Sequence, residues 1–174
     1  DNKTTKENWK ERIAHRKDTL LSGIEIFKDY LVLSEVANAS RLVRIINQKT
    51  GEKHNLNFGE PAYTIFPSIN LEIDTDLLRY GYTSLTTPNS TFDYNMRTRE
   101  KSLLKQTEIV GGYDPSQYQT ERLWATAKDG KPVPMSIVYK KGIKKDGSNP
   151  TLLHGYGSYG SSTDPTFSIS RLGL

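Results

Sequence analysis

A pattern of polar residues occurs twice in this 174-residue chain at a nearly constant spacing. Three residues are followed 48 positions later by the same residue types: Asn47, Thr50 and Glu52, then Asn95, Thr98 and Glu100. An aspartate before an apolar run also recurs, 47 positions apart. A repeat of about this length that holds about four strands has the size of one β-propeller blade. Two hairpins that resemble each other by chance are the alternative.

Short apolar runs between polar turns predict antiparallel strands throughout both repeats. The predicted strands contain residues 24–26, 31–33, 42–46 and 56–58 in the first unit, and 69–73, 77–82 and 92–94 in the second. The connecting turns are predicted at residues 28–30, 37–40, 49–52 and 86–90. The 10 tyrosines and 13 glycines favour strands and turns. We therefore expect a mainly β fold.

The composition changes near residue 110, where two glycines and an Asp-Pro pair predict a linker. Residues 121–127 and 134–139 then predict two strands joined by a two-residue hairpin turn at Asp129-Gly130. The lysine-rich loop 140–147 is interpreted as a solvated hairpin tip, with anion binding as the alternative. The apolar run 150–153 predicts the start of a buried strand. We place the boundary between residues 1–110 and 111–174.

Composition excludes several classes of function. The chain contains no cysteine, which excludes disulfides, thiolate catalysis and cysteine-ligated metal, and fits a reducing compartment. The net charge of +4 is too small to indicate nucleic-acid binding. Apolar runs fall well short of the roughly 18 residues of a membrane span. Because the chain begins at Asp1 and ends at Leu174 in an apolar-containing run, we expect an internal fragment of a longer protein.

The concentrated chemical signal is the sequence Gly-Tyr-Gly-Ser-Tyr-Gly at residues 155–160. Glycines let the backbone approach a ligand closely, and tyrosine hydroxyls can donate to a developing oxyanion. Packing of these tyrosines against a neighbouring loop is the alternative. No serine stands in the G-x-S-x-G pattern of a nucleophile elbow, and His15, His54 and His154 lack an obvious nucleophile. No metal-binding spacing occurs.

Residues 140–160 resemble the start of the peptidase domain in the prolyl oligopeptidase family of serine peptidases. Further segments are similar to the same family: 118–121, 128–130, 133–136 and 168–172. The sequences at 60–63, 78–80, 83–84 and 87–88 resemble the oligopeptidase B branch, as does Gly-Ser-Tyr-Gly at 157–160. His154 departs from the tyrosine that is usual at its position, so no family role is carried to it.

The resemblance implies the last two blades of a seven-bladed β-propeller over residues 1–110, followed by the first strands of an α/β-hydrolase domain over residues 111–174. It implies that Tyr156 donates its hydroxyl to the oxyanion and that Tyr159 lines the pocket for the residue before the scissile bond. The family's catalytic Ser, Asp and His come later in the chain, so we expect none of them here. We therefore expect the 174-residue chain alone to be inactive.

The implied function is hydrolysis of short peptides after basic residues, by an endopeptidase of the oligopeptidase B type without cofactor or metal. Cleavage after proline and a non-catalytic propeller interaction module are the alternatives. We expect a monomeric full-length protein in the cytoplasm, without nucleic-acid or membrane partners. The propeller is expected to admit only small, unstructured substrates.

Overall fold

The computed structural model describes residues 4–173, so Asp1 and Leu174 lie outside it. The strands are β1 (Thr19–Ile26), β2 (Tyr30–Ala37), β3 (Ser40–Asn47), β4 (Lys53–Asn55), β5 (Tyr63–Pro67), β6 (Leu77–Ser84), β7 (Ser90–Asn95), β8 (Lys101–Gln106), β9 (Tyr118–Thr126) and β10 (Pro132–Lys140). The helix α1 spans Ile169–Leu172, and two 3-10 turns span Lys6–Asn8 and Pro115–Gln117. Within residues 4–173, no helix has the length and apolar character needed to cross a membrane.

Each predicted repeat forms one four-stranded antiparallel sheet. The strand orders are β1-β2-β3-β4 and β5-β6-β7-β8, so every strand pairs with the next strand along the chain. The hairpin of β9 and β10 forms a separate two-stranded sheet. The prediction of a mainly β fold built from antiparallel meanders is therefore confirmed.

The repeated asparagine builds the same turn in both sheets. The side-chain oxygen of Asn47 accepts hydrogen bonds from the backbone of Lys49 and Thr50, at 2.9 and 3.0 Å. The side-chain oxygen of Asn95 accepts the corresponding pair from the backbone two and three residues later, at 3.0 and 2.9 Å. In each turn the asparagine N–H donates to the backbone carbonyl of the repeated glutamate at 2.9 Å. Asparagine suits this position because its short side chain can mimic a backbone acceptor.

The repeated aspartates tie each of these turns to the residue that precedes the second strand of its sheet. Gln48, next to the first asparagine, donates its backbone N–H to the carbonyl of Asp29 at 2.8 Å. Met96 makes the equivalent bond to Asp76, also at 2.8 Å. The repeat seen in the sequence is thus a repeat of hydrogen bonds.

The main core lies between the two sheets and is rich in aromatic residues. Its buried members are Phe27, Tyr30, Val32, Val43, Ile45, Leu56, Ile65, Leu78, Tyr80, Tyr82, Tyr94 and Met96. Phe58 stacks on Tyr82 with ring centroids 4.6 Å apart, and Phe92 stacks on Tyr80 at 5.5 Å. Aromatic side chains bury much area per residue, which compensates for a low aliphatic content.

Residues 69–73 do not form the strand that their alternation predicts. The side chains of Ile69, Leu71 and Ile73 are exposed. Between them, the Asn70 amide donates to the carbonyl of Arg79 at 3.0 Å and accepts the Arg79 N–H at 2.7 Å. This side chain occupies the backbone groups that a paired strand would use.

Other strand boundaries also differ from the prediction. The first sheet closes with β4, whereas residues 56–58 follow it as a coil segment whose Leu56 and Phe58 enter the core. The second sheet begins with β5, which the apolar pattern does not indicate. The β9–β10 turn holds three residues, because the Ala127 N–H donates to the carbonyl of Lys131 at 2.9 Å. Gly130 takes a φ of 81° there, as in a turn with a G1 bulge.

The apolar run at residues 150–153 is irregular and exposed, so the prediction of a buried strand is wrong for the described chain. The exposed fractions of Leu152 and Leu153 are 65% and 86%. A strand needs a ladder partner. Strands β1–β4 and β5–β8 pair within their own sheets and β9 pairs with β10, and no ladder joins any of these strands to residues 150–153.

Candidate functional site

The Gly-rich loop, residues 155–160, presents both predicted site tyrosines to solvent. Tyr156 is 57% exposed and Tyr159 is 97% exposed. The loop ends in a tight turn in which the Ser161 N–H donates to the carbonyl of Ser158 at 3.0 Å. Tyr159 and Gly160 occupy the centre of this turn with φ values of 55° and 70°, as in a type I′ turn. Both phenol hydroxyls are therefore available as hydrogen-bond donors to a bound molecule.

The structure does not bring a nucleophile and a base together in the described part of the chain. Of the three histidines, His54 is the one whose side chain has a hydrogen-bond partner within residues 4–173. Its Nε2 lies 2.9 Å from the hydroxyl of Tyr94. His15 and His154 are exposed. Residues 4–173 also hold no cluster of three or more side chains suited to a metal.

A short segment after the Gly-rich loop is attached to both four-stranded sheets. We call this segment, residues 164–167, the strap. Asp164 accepts from Nε and Nη2 of Arg41 on β3, at 2.8 and 2.7 Å. The carbonyl of Pro165 accepts from the buried hydroxyl of Thr64 on β5, at 3.0 Å. The strap thus fixes the chain close to the Gly-rich loop, although no local sequence pattern indicates it.

The end of the strap packs against β6 and the linker. The backbone N–H of Phe167 donates to the hydroxyl of Thr83 at 3.2 Å. The Phe167 ring meets the Tyr113 ring edge-on, with centroids 5.0 Å apart. The hydroxyl of Tyr113 donates to the carbonyl of Thr86 at 2.8 Å. Burial, with smaller contributions from Tyr118 and nearby carboxylates, raises the pKa of Tyr113 to about 12, which keeps this donor protonated at neutral pH.

A carboxylate is held by hydroxyl groups beside the same turn. Glu60 accepts from the hydroxyls of Tyr82 and Thr87, each at 2.7 Å, and from that of Thr86 at 3.2 Å. Burial is the main cause of the raised pKa of Tyr82, and its bond to the carboxylate adds to it. The cluster joins the segment between the sheets to the β6–β7 turn and so stiffens the surface that contacts Tyr113.

The β9–β10 hairpin is attached to the first sheet by one arginine. Nη2 of Arg122 donates to the carbonyls of Asn38 and Ala39 in the β2–β3 turn, at 2.9 and 3.2 Å. Its Nη1 donates to the hydroxyl of Ser136 at 2.7 Å. Desolvation lowers the pKa of Arg122, but an arginine keeps its charge at neutral pH. The β2–β3 turn closely precedes Arg41. The contacts of Arg122 and of Asp164 with the first sheet therefore lie at the same end of that sheet.

Comparisons with known proteins agree with this architecture. Residues 1–107 match the family model described as the N-terminal β-propeller domain of prolyl oligopeptidase. The chain is 45% identical to a dipeptidyl aminopeptidase BI of Pseudoxanthomonas mexicana over 98% of its length. It is 39% identical to a prolyl endopeptidase of Elizabethkingia meningoseptica over 94% of its length. The structure of oligopeptidase B from Leishmania major superposes with a TM-score of 0.80, at 31% identity over 91% of the chain.

The chain spans about a quarter of each of these proteins: 24% of the aminopeptidase, 22% of the endopeptidase and 23% of oligopeptidase B. The propeller model covers both four-stranded sheets, which identifies them as propeller blades. The family model, the relatives and the superposed structure all indicate the same family. The chain therefore belongs to the prolyl oligopeptidase family of serine peptidases.

Proposed function

We propose that this chain is part of a longer serine peptidase of the oligopeptidase B type, which hydrolyses short peptides after basic residues. In this proposal the two blades are the last of a seven-bladed propeller, formed by residues 1–110. Residues 111–174 begin an α/β-hydrolase domain whose catalytic Ser, Asp and His follow later in the chain. The 174-residue chain alone is then inactive.

One observation carries the proposal: a propeller chain continues into a Gly-rich loop whose two tyrosine hydroxyls are open to solvent. When a serine attacks a peptide carbonyl, negative charge develops on the carbonyl oxygen. The hydroxyl of Tyr156 donates to that oxyanion, while the Tyr159 ring lines the pocket for the residue before the scissile bond. A fixed donor helps because it is already oriented when the charge appears.

The setting of the full-length enzyme is part of the same proposal. We propose a monomer in the cytoplasm that uses no cofactor and acts on short peptides, not on nucleic acid or membranes. The absence of cysteine from the sequence fits a reducing compartment. The propeller limits access to small, unstructured substrates.

Substitution of Tyr156 in the full-length protein tests the oxyanion role. Tyr156→Phe removes the hydroxyl and keeps the ring, so we expect kcat to fall about 10²–10³-fold with little change in KM. Tyr159→Phe is the matched control, because it removes the same atom from the neighbouring tyrosine and keeps the pocket wall. Equal small losses in both variants, or an effect of Tyr156→Phe on KM alone, would show that Tyr156 has a packing role.

The names of two relatives define the competing specificities. Cleavage after proline is favoured by the 39% identical endopeptidase, and release of dipeptides from a free N-terminus by the 45% identical aminopeptidase. Three fluorogenic peptides distinguish these activities: one blocked with Arg before the scissile bond, one blocked with Pro, and one dipeptide with a free amino group. The proposal requires the highest kcat/KM for the blocked Arg peptide. No turnover of any peptide and no labelling by a serine-directed inhibitor would instead indicate an interaction module.

A further inference from the structure

The strap lies close in sequence to the proposed oxyanion donor. It begins four residues after Gly160 and eight residues after Tyr156. Four residues of extended chain span at most about 14 Å. While the strap stays bound to the blades, Gly160 at the end of the loop therefore stays within this distance of Asp164, and Tyr156 within about 29 Å.

We propose that Arg41, on a propeller blade, is a positioning residue for the Gly-rich loop and acts by holding the strap through Asp164. The inference rests on the proposed function, because the loop's task is taken to be oxyanion binding by Tyr156. The propeller in this proposal does more than limit access, since its contact with the strap also sets the position of a catalytic donor.

The contact between Arg41 and Asp164 is a charge-assisted ion pair. Arg41 uses two donors on one carboxylate oxygen, and the two side chains are only 41% and 25% exposed. Charge-assisted bonds of this kind are stronger than those between neutral groups. Within residues 4–173 this is the strap's ion pair, and Arg41 lies on a different chain segment from the strap's other contacts.

Thr64 makes a second, independent hydrogen bond that holds the strap in one position. Thr64 is 6% exposed, and within residues 4–173 its hydroxyl has one hydrogen-bond acceptor, the carbonyl of Pro165. Pro165 is itself buried. Release of the strap gives up this hydrogen bond, so Thr64 opposes release as well as Arg41.

Hydrogen–deuterium exchange of the full-length protein tests the attachment without using activity. Arg41→Ala is expected to speed exchange in the peptide covering residues 155–168 about fivefold, the scale of losing one partly buried ion pair. Arg79→Ala is the matched control. Arg79 also places two donors on an aspartate, Asp93, and those side chains are 49% and 16% exposed. Unchanged exchange in Arg41→Ala, or equal acceleration in both variants, overturns the inference.

Kinetics of the same variants test positioning. Arg41→Ala is expected to lower kcat about tenfold with KM changed less than about twofold, because a small displacement of a catalytic group is costly. In a Tyr156→Phe background, Arg41→Ala should cost less than about twofold, since the donor that it positions is gone. Equal losses in both backgrounds overturn the inference. If Tyr156→Phe alone leaves kcat unchanged, the proposed function fails, and the exchange result still decides whether Arg41 holds the loop.

Discussion

Glu35 is a buried carboxylate whose loss should destabilise the first blade strongly. It lies on β2 with a side chain only 4% exposed, and its Oε1 accepts from Arg44 at 2.5 Å and from Arg16 at 2.6 Å. The two arginines differ in their access to water. The side chain of Arg44 is 17% exposed, whereas that of Arg16 is 42% exposed. Glu35→Gln keeps the shape of the side chain and removes the charge.

The expected loss of stability follows from this difference in exposure between the two arginines. Removing one partner of a buried ion pair typically costs about 3–5 kcal/mol, because the remaining charge is left uncompensated. Arg16 can turn towards solvent and Arg44 cannot, so one stranded charge is expected rather than two. We therefore predict a loss near the lower end, about 3 kcal/mol, for Glu35→Gln. Arg16→Ala should cost about 1 kcal/mol or less, as for an exposed pair.

Urea denaturation of the full-length protein measures these differences, provided that the slope of the transition is the same in each variant. Replacing both Glu35 and Arg44 by methionine should recover stability to within about 1 kcal/mol of the natural protein, because no charge is then left buried. The reasoning is refuted if Glu35→Gln costs under about 1 kcal/mol, or if the double methionine variant is no more stable than Glu35→Gln.

Of two further predictions, one concerns packing within the second blade, and the other concerns a histidine at the contact between the two blades. In Gly81→Ala the new Cβ would lie 2.1 Å from the far edge of the Phe66 ring, but that side chain is 48% exposed and can shift towards solvent, so we expect a loss of about 1 kcal/mol or less in urea. Adding Phe66→Ala should then cost much less than it does in the natural protein, and strict additivity would contradict the clash. Burial, reinforced by Arg99, lowers the pKa of His54 from 6.5. The unfolded state then binds more protons, so stability should fall as the pH drops below about 6.5, and His54→Gln should flatten this fall between pH 7.5 and 5.5.

Features set by local hydrogen bonds were predictable from the sequence. The turns at Asn47 and Asn95 depend on bonds to backbone groups two and three residues away, so the same residue types recur with the same spacing. The repeat therefore predicted two similar antiparallel units and the turn after Asn47, but not strands β5 and β8. It could not predict the bond between Arg41 and Asp164, which joins residues 123 positions apart and has no local pattern.

Apolar patterns were less reliable because they do not show which backbone partners are available. Residues 69–73 alternate as a strand would, yet the bonds between Asn70 and Arg79 take the place of ladder pairing. Residues 150–153 include a proline and two leucines, but no strand of the described chain pairs with them. The type and position of Tyr156 and Tyr159 were visible in the sequence, and their roles stay predictions.

The consecutive order of strands within each blade has a consequence for the kinetics of folding. Because every strand in the two four-stranded sheets pairs with its sequence neighbour, each blade can form from short-range hairpins. Contacts of this kind form fast, since little chain entropy is lost in closing the loops between them. The bonds of the strap span 84 to 123 residues and require both blades as a template. We therefore expect the Gly-rich loop to reach its final position late, after both blades have formed.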